Sequence, residues 1–185
     1  MDEYIDIITN KGKHTNKIAL KSEAHKNGWY HNTIHLWLYT KDGKILLQQR
    51  SHKKDINPLL WDVSVAGHVD ANETYIEAAI RETHEELGLN LLPNDLTKIG
   101  VKKHEKAYHN GRIKDNEFHH IYIVKLKIHI NELTPQCNEV EALKLVSLKS
   151  FSELLKQSKS NCHFISTNIS YYKFVLQHIK IHLSL

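Results

Sequence analysis

Residues 67–89 read GHVDANETYIEAAIRETHEELGL, and this segment carries the strongest structural signal in the chain. Its middle part has no glycine or proline and is rich in good helix formers, so it predicts a helix over residues 73–87. Asn72 or Asp70 can cap the N-terminus of this helix, and Gly88 is placed to end it in a left-handed conformation.

The helix is predicted to have an apolar face and an acidic face. Residues recurring at three- and four-residue steps predict the buried stripe, which consists of Ile76, Ala79, Ile80, Thr83 and Leu87. Glu82, Glu85 and Glu86 fall within about one turn, where like charges repel each other. Arg81 can hold one carboxylate, but a hard divalent cation such as Mg²⁺ compensates better, because it prefers oxygen ligands. The alternative is a solvated acidic face, against which the fixed spacing of these residues argues.

The spacing resembles the signature of the Nudix hydrolases. From Gly67 to Leu89 the chain follows the family pattern GX5EX7REUXEEXGU at every charged and glycine position. The one departure is Thr83, which stands where the family usually has a bulky aliphatic residue. The resemblance implies an α/β fold in which a mixed β-sheet is sandwiched between helices. It also implies attack of water on the diphosphate linkage of a nucleoside diphosphate joined to another moiety.

The same resemblance implies roles for individual residues. Arg81 and Glu73 correspond to orienting ion-pair residues, and Mg²⁺ is the expected cofactor, with Mn²⁺ as the alternative. Such a metal neutralises phosphoryl charge and lowers the pKa of bound water, while a carboxylate takes the proton. The implied catalytic residues are Glu82, Glu85 and Arg81, and the implied metal ligands are Glu85, Glu86, the Gly67 carbonyl and Glu82, the last as a ligand or the general base.

Residues 46–68, LLQQRSHKKDINPLLWDVSVAGH, resemble the corresponding segment of isopentenyl-diphosphate isomerases, which also have the Nudix fold. In that comparison Arg50 and Lys54 correspond to basic residues that hold the substrate diphosphate; the alternative is that they are surface residues after a strand. A histidine-rich second metal site is also implied, at His25, His31, His68 and Glu117, with Asp115 as a weaker candidate. Imidazole beside carboxylate would suit Mn²⁺ or Zn²⁺ as well as Mg²⁺.

Two departures argue against isomerase activity. Ala66 stands where the isomerases have their catalytic cysteine, and a methyl group cannot protonate an alkene. The isomerases also have a degenerate Nudix helix, whereas this helix keeps every glutamate that hydrolysis requires. The leading hypothesis is therefore a metal-dependent hydrolase. The alternatives are an isoprenoid-diphosphate isomerase or hydrolase, and a non-catalytic Nudix domain that serves as a ligand sensor.

The composition limits the class of protein. The 185 residues, 41% of them hydrophobic, predict a single domain over residues 1–185, with an N-terminal extension at about residues 1–30. The opening segment lacks the apolar region of a secretory signal, and no apolar run reaches the roughly 18 residues of a membrane span. We therefore expect a cytoplasmic protein in which Cys137 and Cys162 are reduced packing residues.

The net charge of the chain indicates which kinds of binding partner to expect. A net charge of +4 is too mild to indicate nucleic-acid binding, so the expected partner is a small-molecule diphosphate. Neither a nucleic acid nor a membrane is expected. Homodimers are common in the wider family, and a homodimer is left open.

Hydrophobic patterning outlines the remaining elements. Residues 33–50 predict a β-hairpin around the turn Lys41-Asp42-Gly43, and residues 61–67 predict a strand or an extended loop. Further strands are predicted at residues 98–106, 117–130 and 140–147, with a loop at 108–116, and helices at 150–158 and about 170–183. The core-facing set of the last helix is Tyr171, Phe174, Val175, Ile179 and Leu183.

Overall fold

The computed structural model describes residues 2–158, 160 and 169–184. Its N-terminal part is a small two-stranded sheet, β1 (Tyr4–Ile8) and β2 (His14–Leu20). The main sheet is built from β3 (His31–Tyr39), β4 (Lys44–Arg50), β5 (Trp61–Asp62), β6 (Val65–His68), β7 (Thr97–Tyr108), β8 (Ile113–Lys125) and β9 (Val140–Ser147). The helices are α1 (Lys21–Asn27), α2 (Tyr75–Leu87), α3 (Leu148–Lys156) and α4 (Ile169–His182).

The main sheet is mixed. Its strand order is β5-β4-β3-β8-β7, while β6 also pairs with β3 and β9 also pairs with β4. Strands β3 and β8 are parallel, in a register that pairs His31 with Glu117, and the other pairings are antiparallel. Parallel strands need a long crossover connection, and the chain between β3 and β8 supplies it together with α2.

Helices cover both faces of this sheet. Because side chains alternate along a strand, Ile34, Leu36 and Leu38 of β3 pack towards α2, while Trp37 and Tyr39 pack towards α3 and α4. The fully buried Trp37 meets Phe151 of α3 edge to face, at 5.7 Å between ring centroids. The prediction of a mixed sheet sandwiched between helices is confirmed.

The predicted start of the central helix is wrong by two residues. Helix α2 begins at Tyr75, and its cap is Thr74 rather than Asn72 or Asp70. The Thr74 hydroxyl accepts a hydrogen bond from the Glu77 backbone, and the Glu77 carboxylate accepts one from the Thr74 backbone. This reciprocal capping box satisfies two otherwise unpaired backbone donors. Gly88 ends the helix at φ 65°, as predicted.

The faces of α2 also differ from the prediction. Its buried residues are Ala78, Ala79, Glu82, Thr83, Glu86 and Leu87. Ile76 is 41% exposed, and Ile80 is only partly buried. The three carboxylates lie within one turn of α2 but differ in burial, since Glu82 and Glu86 are buried while the side chain of Glu85 is 50% exposed. The helix therefore buries two glutamates beside its apolar residues.

The predicted hairpin is present, but most of the pairing of its two strands is with other strands. The turn before Lys44 forms, but β3 and β4 pair in register only at Tyr39 and Ile45. Beyond that point β3 pairs with β6 and β8, and β4 pairs with β5 and β9. The segment at residues 61–67 contains two short strands, and the predicted loop at residues 108–116 shrinks to the four residues between β7 and β8.

The C-terminal predictions are mostly confirmed. Strand β9 has the predicted limits, and α3 begins two residues earlier than expected. In α4 the predicted Tyr171, Val175 and Ile179 are buried, while Phe174 and Leu183 are partly buried and pack against the same core. Cys137 is exposed and so is not a packing residue, and Cys162 lies outside the described residues.

The N-terminal extension is ordered structure that sequence patterning missed. Strand β1 bridges to the main body at Asp70 and at Tyr30, so the small sheet docks beside β6 and β3. Helix α1 ends at Gly28, which has a φ of 68° and whose carbonyl accepts a hydrogen bond from Asn116 of β8. This contact fixes α1 against β8. Within the described part of the chain, no helix is both long and apolar enough to cross a membrane.

Candidate active site

Gly67 lets the acidic face of α2 lie directly on strand β6. A Cβ atom added at Gly67 would overlap the carboxylate of Glu82. Any side chain at this position would therefore displace that carboxylate. The first glycine of the sequence pattern thus has a steric reason, which is to leave room for a buried glutamate.

Glu82 and Glu86 form a buried carboxylate pair. Burial raises the pKa of Glu82 to about 7, although the charge of Arg81 opposes the shift. Burial, with the negative charge of Glu82, raises the pKa of Glu86 to about 8, against the opposing charge of Lys54. The Oε2 atom of Glu86 is buried without a hydrogen-bond partner. Two carboxylates that lack enough compensating charge are a suitable oxygen donor set for a hard divalent cation.

Arg81 ties this pair to the rest of the site. Its guanidinium donates to both oxygens of Glu73, from Nε at 2.8 Å and from Nη2 at 2.8 Å. It also donates to Glu82 at 2.8 Å and to the backbone carbonyl of His68 at 3.0 Å. Glu85 lies farther away, with 3.5 Å between its Oε2 and Nη1 of Arg81. Arg81 therefore clamps α2 to β6 and fixes the orientation of Glu82.

Of the two predicted diphosphate-binding residues, Lys54 lies beside the pair. Lys54 is close enough to Glu86, Glu82 and Arg50 for their charges to act on its ammonium, while burial lowers its pKa. Its Nζ forms an ion pair with Glu139. Arg50 donates from Nε to the Ile56 carbonyl at 3.0 Å. The structure thus places Lys54 near the acidic pair, while Arg50 lies near Lys54 and 3.7 Å from Oδ2 of Asp62.

The four residues of the predicted second site come together in space. His25 of α1, His31 of β3, His68 of β6 and Glu117 of β8 offer ligand atoms that all lie within 4.8 Å of one another. We call these four residues the histidine cluster. Glu117 Oε1 lies 3.4 Å from His31 Nε2 and 3.7 Å from His68 Nε2. The weaker candidate Asp115 lies at the edge, with its Oδ1 3.5 Å from His25 Nε2.

The histidine cluster passes a structural test for a metal site. The Nε2 atoms of His25, His31 and His68 are all buried without a hydrogen-bond partner. Burial lowers the pKa of His25 to about 4 and that of His68 well below its ordinary value, so both rings are neutral at neutral pH. Neutral imidazole is the form that binds a metal. Orphaned nitrogens aimed at a carboxylate therefore fit a metal ion bound by three nitrogens and one oxygen.

Glu117 is held ionised within the histidine cluster. Burial alone would raise its pKa, but the hydrogen bond from His119 and the nearby His31 hold that pKa well below the ordinary value. Burial and the charge of Glu117 together raise the pKa of Asp115 to about 7. The histidine cluster thus contains one ionised carboxylate, that of Glu117.

Sequence reasoning missed several residues around the site. Gln48 of β4 reaches the Glu86 carboxylate, and His119 contacts Glu117 at 2.8 Å. His35 stacks on His119 with 4.0 Å between ring centroids. A signal for His119 was available, because residues two apart on a strand share a face and His119 follows Glu117 by two. Gln48 and His35 had no comparable local signal.

Proteins with similar sequences identify the family of this chain. The NUDIX domain profile matches residues 29–166. An uncharacterized Nudix hydrolase of Clostridium acetobutylicum is 36% identical over 157 residues, which are 83% of this chain and 74% of that protein. Nudix hydrolase 3 of Arabidopsis thaliana is 35% identical over 159 residues, which are 84% of this chain and 21% of the plant protein. This chain thus spans about a fifth of the plant protein's length.

Two further similarities bear on the subgroup and the fold. An isopentenyl-diphosphate Delta-isomerase of Cutibacterium acnes is 26% identical over 157 residues, covering 84% of this chain and 79% of that enzyme. A crystal structure from Deinococcus radiodurans matches with a TM-score of 0.67 at 18% identity, covering 92% of this chain and 98% of that one. The second match supports the fold alone.

Fold, site and similarities together define the class of protein as a Nudix-type hydrolase. The chain belongs to the Nudix family. The resemblance of its sequence to the isopentenyl-diphosphate isomerases is also confirmed, at a lower level of identity.

Proposed function

We propose that this protein is a hydrolase, dependent on Mg²⁺ or Mn²⁺, that cleaves a diphosphate linkage in a nucleoside diphosphate joined to another moiety. The observation that carries the proposal is the buried pair Glu82 and Glu86 beside Gly67, in which one Glu86 oxygen has no hydrogen-bond partner. Burying two adjacent carboxylates is costly unless a cation compensates them. The intact glutamate pattern of the family supports the same conclusion.

Different residues of the site have different roles in the proposed reaction. Bound metal would neutralise phosphoryl charge and lower the pKa of its water. Glu86, Glu82, Glu85 and the Gly67 carbonyl would hold it. Glu82 accepts the proton of the attacking water, because Arg81 fixes its carboxylate in place. Arg50 and Lys54 bind the diphosphate, since Lys54 lies near the acidic pair and Arg50 lies near Lys54. We further propose a cytoplasmic location, where the exposed Cys137 stays reduced.

An isoprenoid-diphosphate substrate is the second candidate. The assembled histidine cluster and the similarity to an isopentenyl-diphosphate Delta-isomerase favour it. Isomerisation also needs a proton donor at the position of Ala66, which has only a methyl group. Hydrolysis of an isoprenoid diphosphate has no such requirement. If the second candidate is correct, the substrate therefore differs from the proposed one, while the reaction is still hydrolysis.

The test is product release from a substrate panel in the presence of Mg²⁺, Mn²⁺ or a chelator. The panel contains nucleoside di- and triphosphates, dinucleoside polyphosphates, NADH, ADP-ribose, coenzyme A and isopentenyl diphosphate. We expect metal-dependent cleavage of a nucleotide member. Cleavage of isopentenyl diphosphate alone would favour the second candidate. Tight binding without cleavage of any member, by folded and metal-loaded protein, would contradict the proposal and favour a ligand sensor.

A further inference from the structure

Glu117 presents only one of its two oxygens to the histidine cluster. Its Oε1 faces His31 and His68, while its Oε2 lies 2.8 Å from Nε2 of His119. A carboxylate accepts hydrogen bonds and does not donate them when ionised, so His119 Nε2 must carry a proton and donate it here. The side chains of Glu117 and His119 are 11% and 12% exposed, so little water can replace this bond.

The His119 ring is itself held in place by a supporting chain. His35 stacks on it at an interplanar angle of 21°. Nδ1 of His35 lies 2.7 Å from the Tyr171 hydroxyl, and the indole nitrogen of Trp37 donates to the same hydroxyl at 2.8 Å. Trp37 belongs to β3 and is fully buried, and Tyr171 belongs to α4. The rigid core between the sheet and α4 therefore determines where His119 lies.

We propose that His119 is the positioning residue of the histidine cluster: its Nε2 proton fixes Glu117 so that Oε1 faces the three imidazoles, and the chain of His35, Tyr171 and Trp37 fixes His119. The inference rests on the proposed metal binding. Side chains that hydrogen-bond to metal ligands restrict the ligand to one orientation, and their loss typically lowers metal affinity about 10- to 100-fold. Without His119, the Glu117 carboxylate can rotate, and its second oxygen is left buried without a donor.

The test uses Co²⁺ as the probe, because its visible absorption reports the ligands around it. Co²⁺ is titrated into the full-length protein with excess Mg²⁺ present, which occupies the oxygen-rich site on α2 while imidazole ligands favour Co²⁺. His68→Ala identifies the absorption band that belongs to the histidine cluster. His119→Asn and His119→Gln form the informative pair, since the longer amide can donate to Glu117 from near the Nε2 position and the shorter one cannot reach.

We expect His119→Asn to weaken Co²⁺ binding about 10- to 100-fold and to alter the band, and His119→Gln to restore most of both. His104→Gln is the matched control, because His104 stacks on the same ring at 5.1 Å without a hydrogen bond to Glu117. That variant should bind Co²⁺ like the wild type. Melting curves establish that each variant is folded.

Three results would overturn the inference. If the wild type shows no band that His68→Ala removes, the metal site itself is wrong. If the band is present but His119→Asn binds Co²⁺ as tightly as the wild type, only the positioning role fails. If His119→Gln is as weak as His119→Asn, the Nε2 donor is not what positions Glu117.

Discussion

The carboxylate pair on α2 and the histidine cluster are built in different ways by the same chain. Glu82 and Glu86 lie four residues apart on α2, and Gly67 precedes that helix in the same continuous segment. The histidine cluster takes its members from α1, β3, β6 and β8, and the parallel pairing of His31 with Glu117 brings the distant parts together. A local motif can therefore be recognised in a sequence, whereas a dispersed site depends on strand register.

Strand β6 belongs to both sites. Gly67 faces Glu82 of α2, and the next residue, His68, faces the histidine cluster, because consecutive side chains on a strand point to opposite faces. The Arg81 guanidinium also binds the His68 carbonyl. The two sites are thus connected through β6 and Arg81, although their electrostatics differ. Burial raises the pKa values of Glu82 and Glu86, whereas imidazoles hold that of Glu117 low.

Replacing a carboxylate of α2 should have the largest effect. Glu86→Gln keeps the shape of the side chain but removes its charge, so we expect hydrolysis to fall by several orders of magnitude. The melting temperature without metal should change little at neutral pH, because burial raises the pKa of Glu86 to about 8 and so leaves the carboxyl group mostly protonated. Steady-state rates and thermal melts measure both. Glu77→Gln is the control on the same helix, since glutamine retains the capping box. Retained activity in Glu86→Gln would contradict its role as a metal ligand.

A methyl group at Gly67 should break the close contact between β6 and α2. In Gly67→Ala the new Cβ overlaps the Glu82 carboxylate, so Glu82 must move. We expect a rate loss of about 100-fold, the usual result of displacing a catalytic group by about 1 Å. The stability loss should be about 1–3 kcal/mol, as for other overpacked sites.

The double variant Gly67→Ala with Glu82→Ala tests the cause of that loss. Removing the carboxylate should restore stability to the Gly67→Ala protein without restoring activity. Chemical denaturation measures the coupling. Additive stability losses in the double variant would show that the overlap with Glu82 is not the cause.

His120 lies on the face of the sheet opposite His119, and it should have a smaller effect, which is a pH dependence of the free energy of unfolding. Burial lowers the pKa of His120 from 6.5 to about 4, and the ring stacks on Tyr75 of α2 at 3.6 Å. The unfolded chain therefore binds a proton first as the pH falls, and the contribution of His120 to stability is lost between pH 6.5 and 4. The linkage limit for one such group is about 1.4 kcal/mol per pH unit.

The variant His120→Gln removes this titration. Wild type and variant are compared by urea denaturation at several pH values across that window. We expect the free energy of unfolding to fall more steeply with acid in the wild type. Parallel pH profiles for the two proteins would mean that His120 titrates normally in the folded state.

The smallest expected effect is that of Ala66→Cys. A thiol at this position supplies one proton donor, but α2 still keeps every glutamate of the hydrolase pattern, in contrast to the degenerate helix of the isomerases. We expect no conversion of isopentenyl diphosphate to dimethylallyl diphosphate and no change in hydrolysis, both followed by product chromatography. Isomerase activity in this single variant would show that the remaining groups are already in place.

Some elements were predicted correctly from the sequence and others were not. The limits of β9 and the C-terminal end of α2 were predicted correctly, because hydrophobic alternation and a terminal glycine are local signals. The predicted hairpin at residues 33–50 forms only next to its turn, because farther along β6 pairs with β3 and β5 pairs with β4. Ile76 was assigned to the core, although the sheet meets α2 on the side of Ala78 and Glu82.

The sequence by itself determined the family and the sandwich of helices around a mixed sheet, and it predicted the residues of both candidate sites. These follow from fixed spacings and from matching motifs, which do not require coordinates. Only the tertiary structure decided that Glu85 is exposed while Glu86 is buried, and that His119 and His35 lie behind Glu117. The physical reason is that burial and hydrogen bonding depend on which distant strands and helices cover a residue, and local spacing carries no information about that cover.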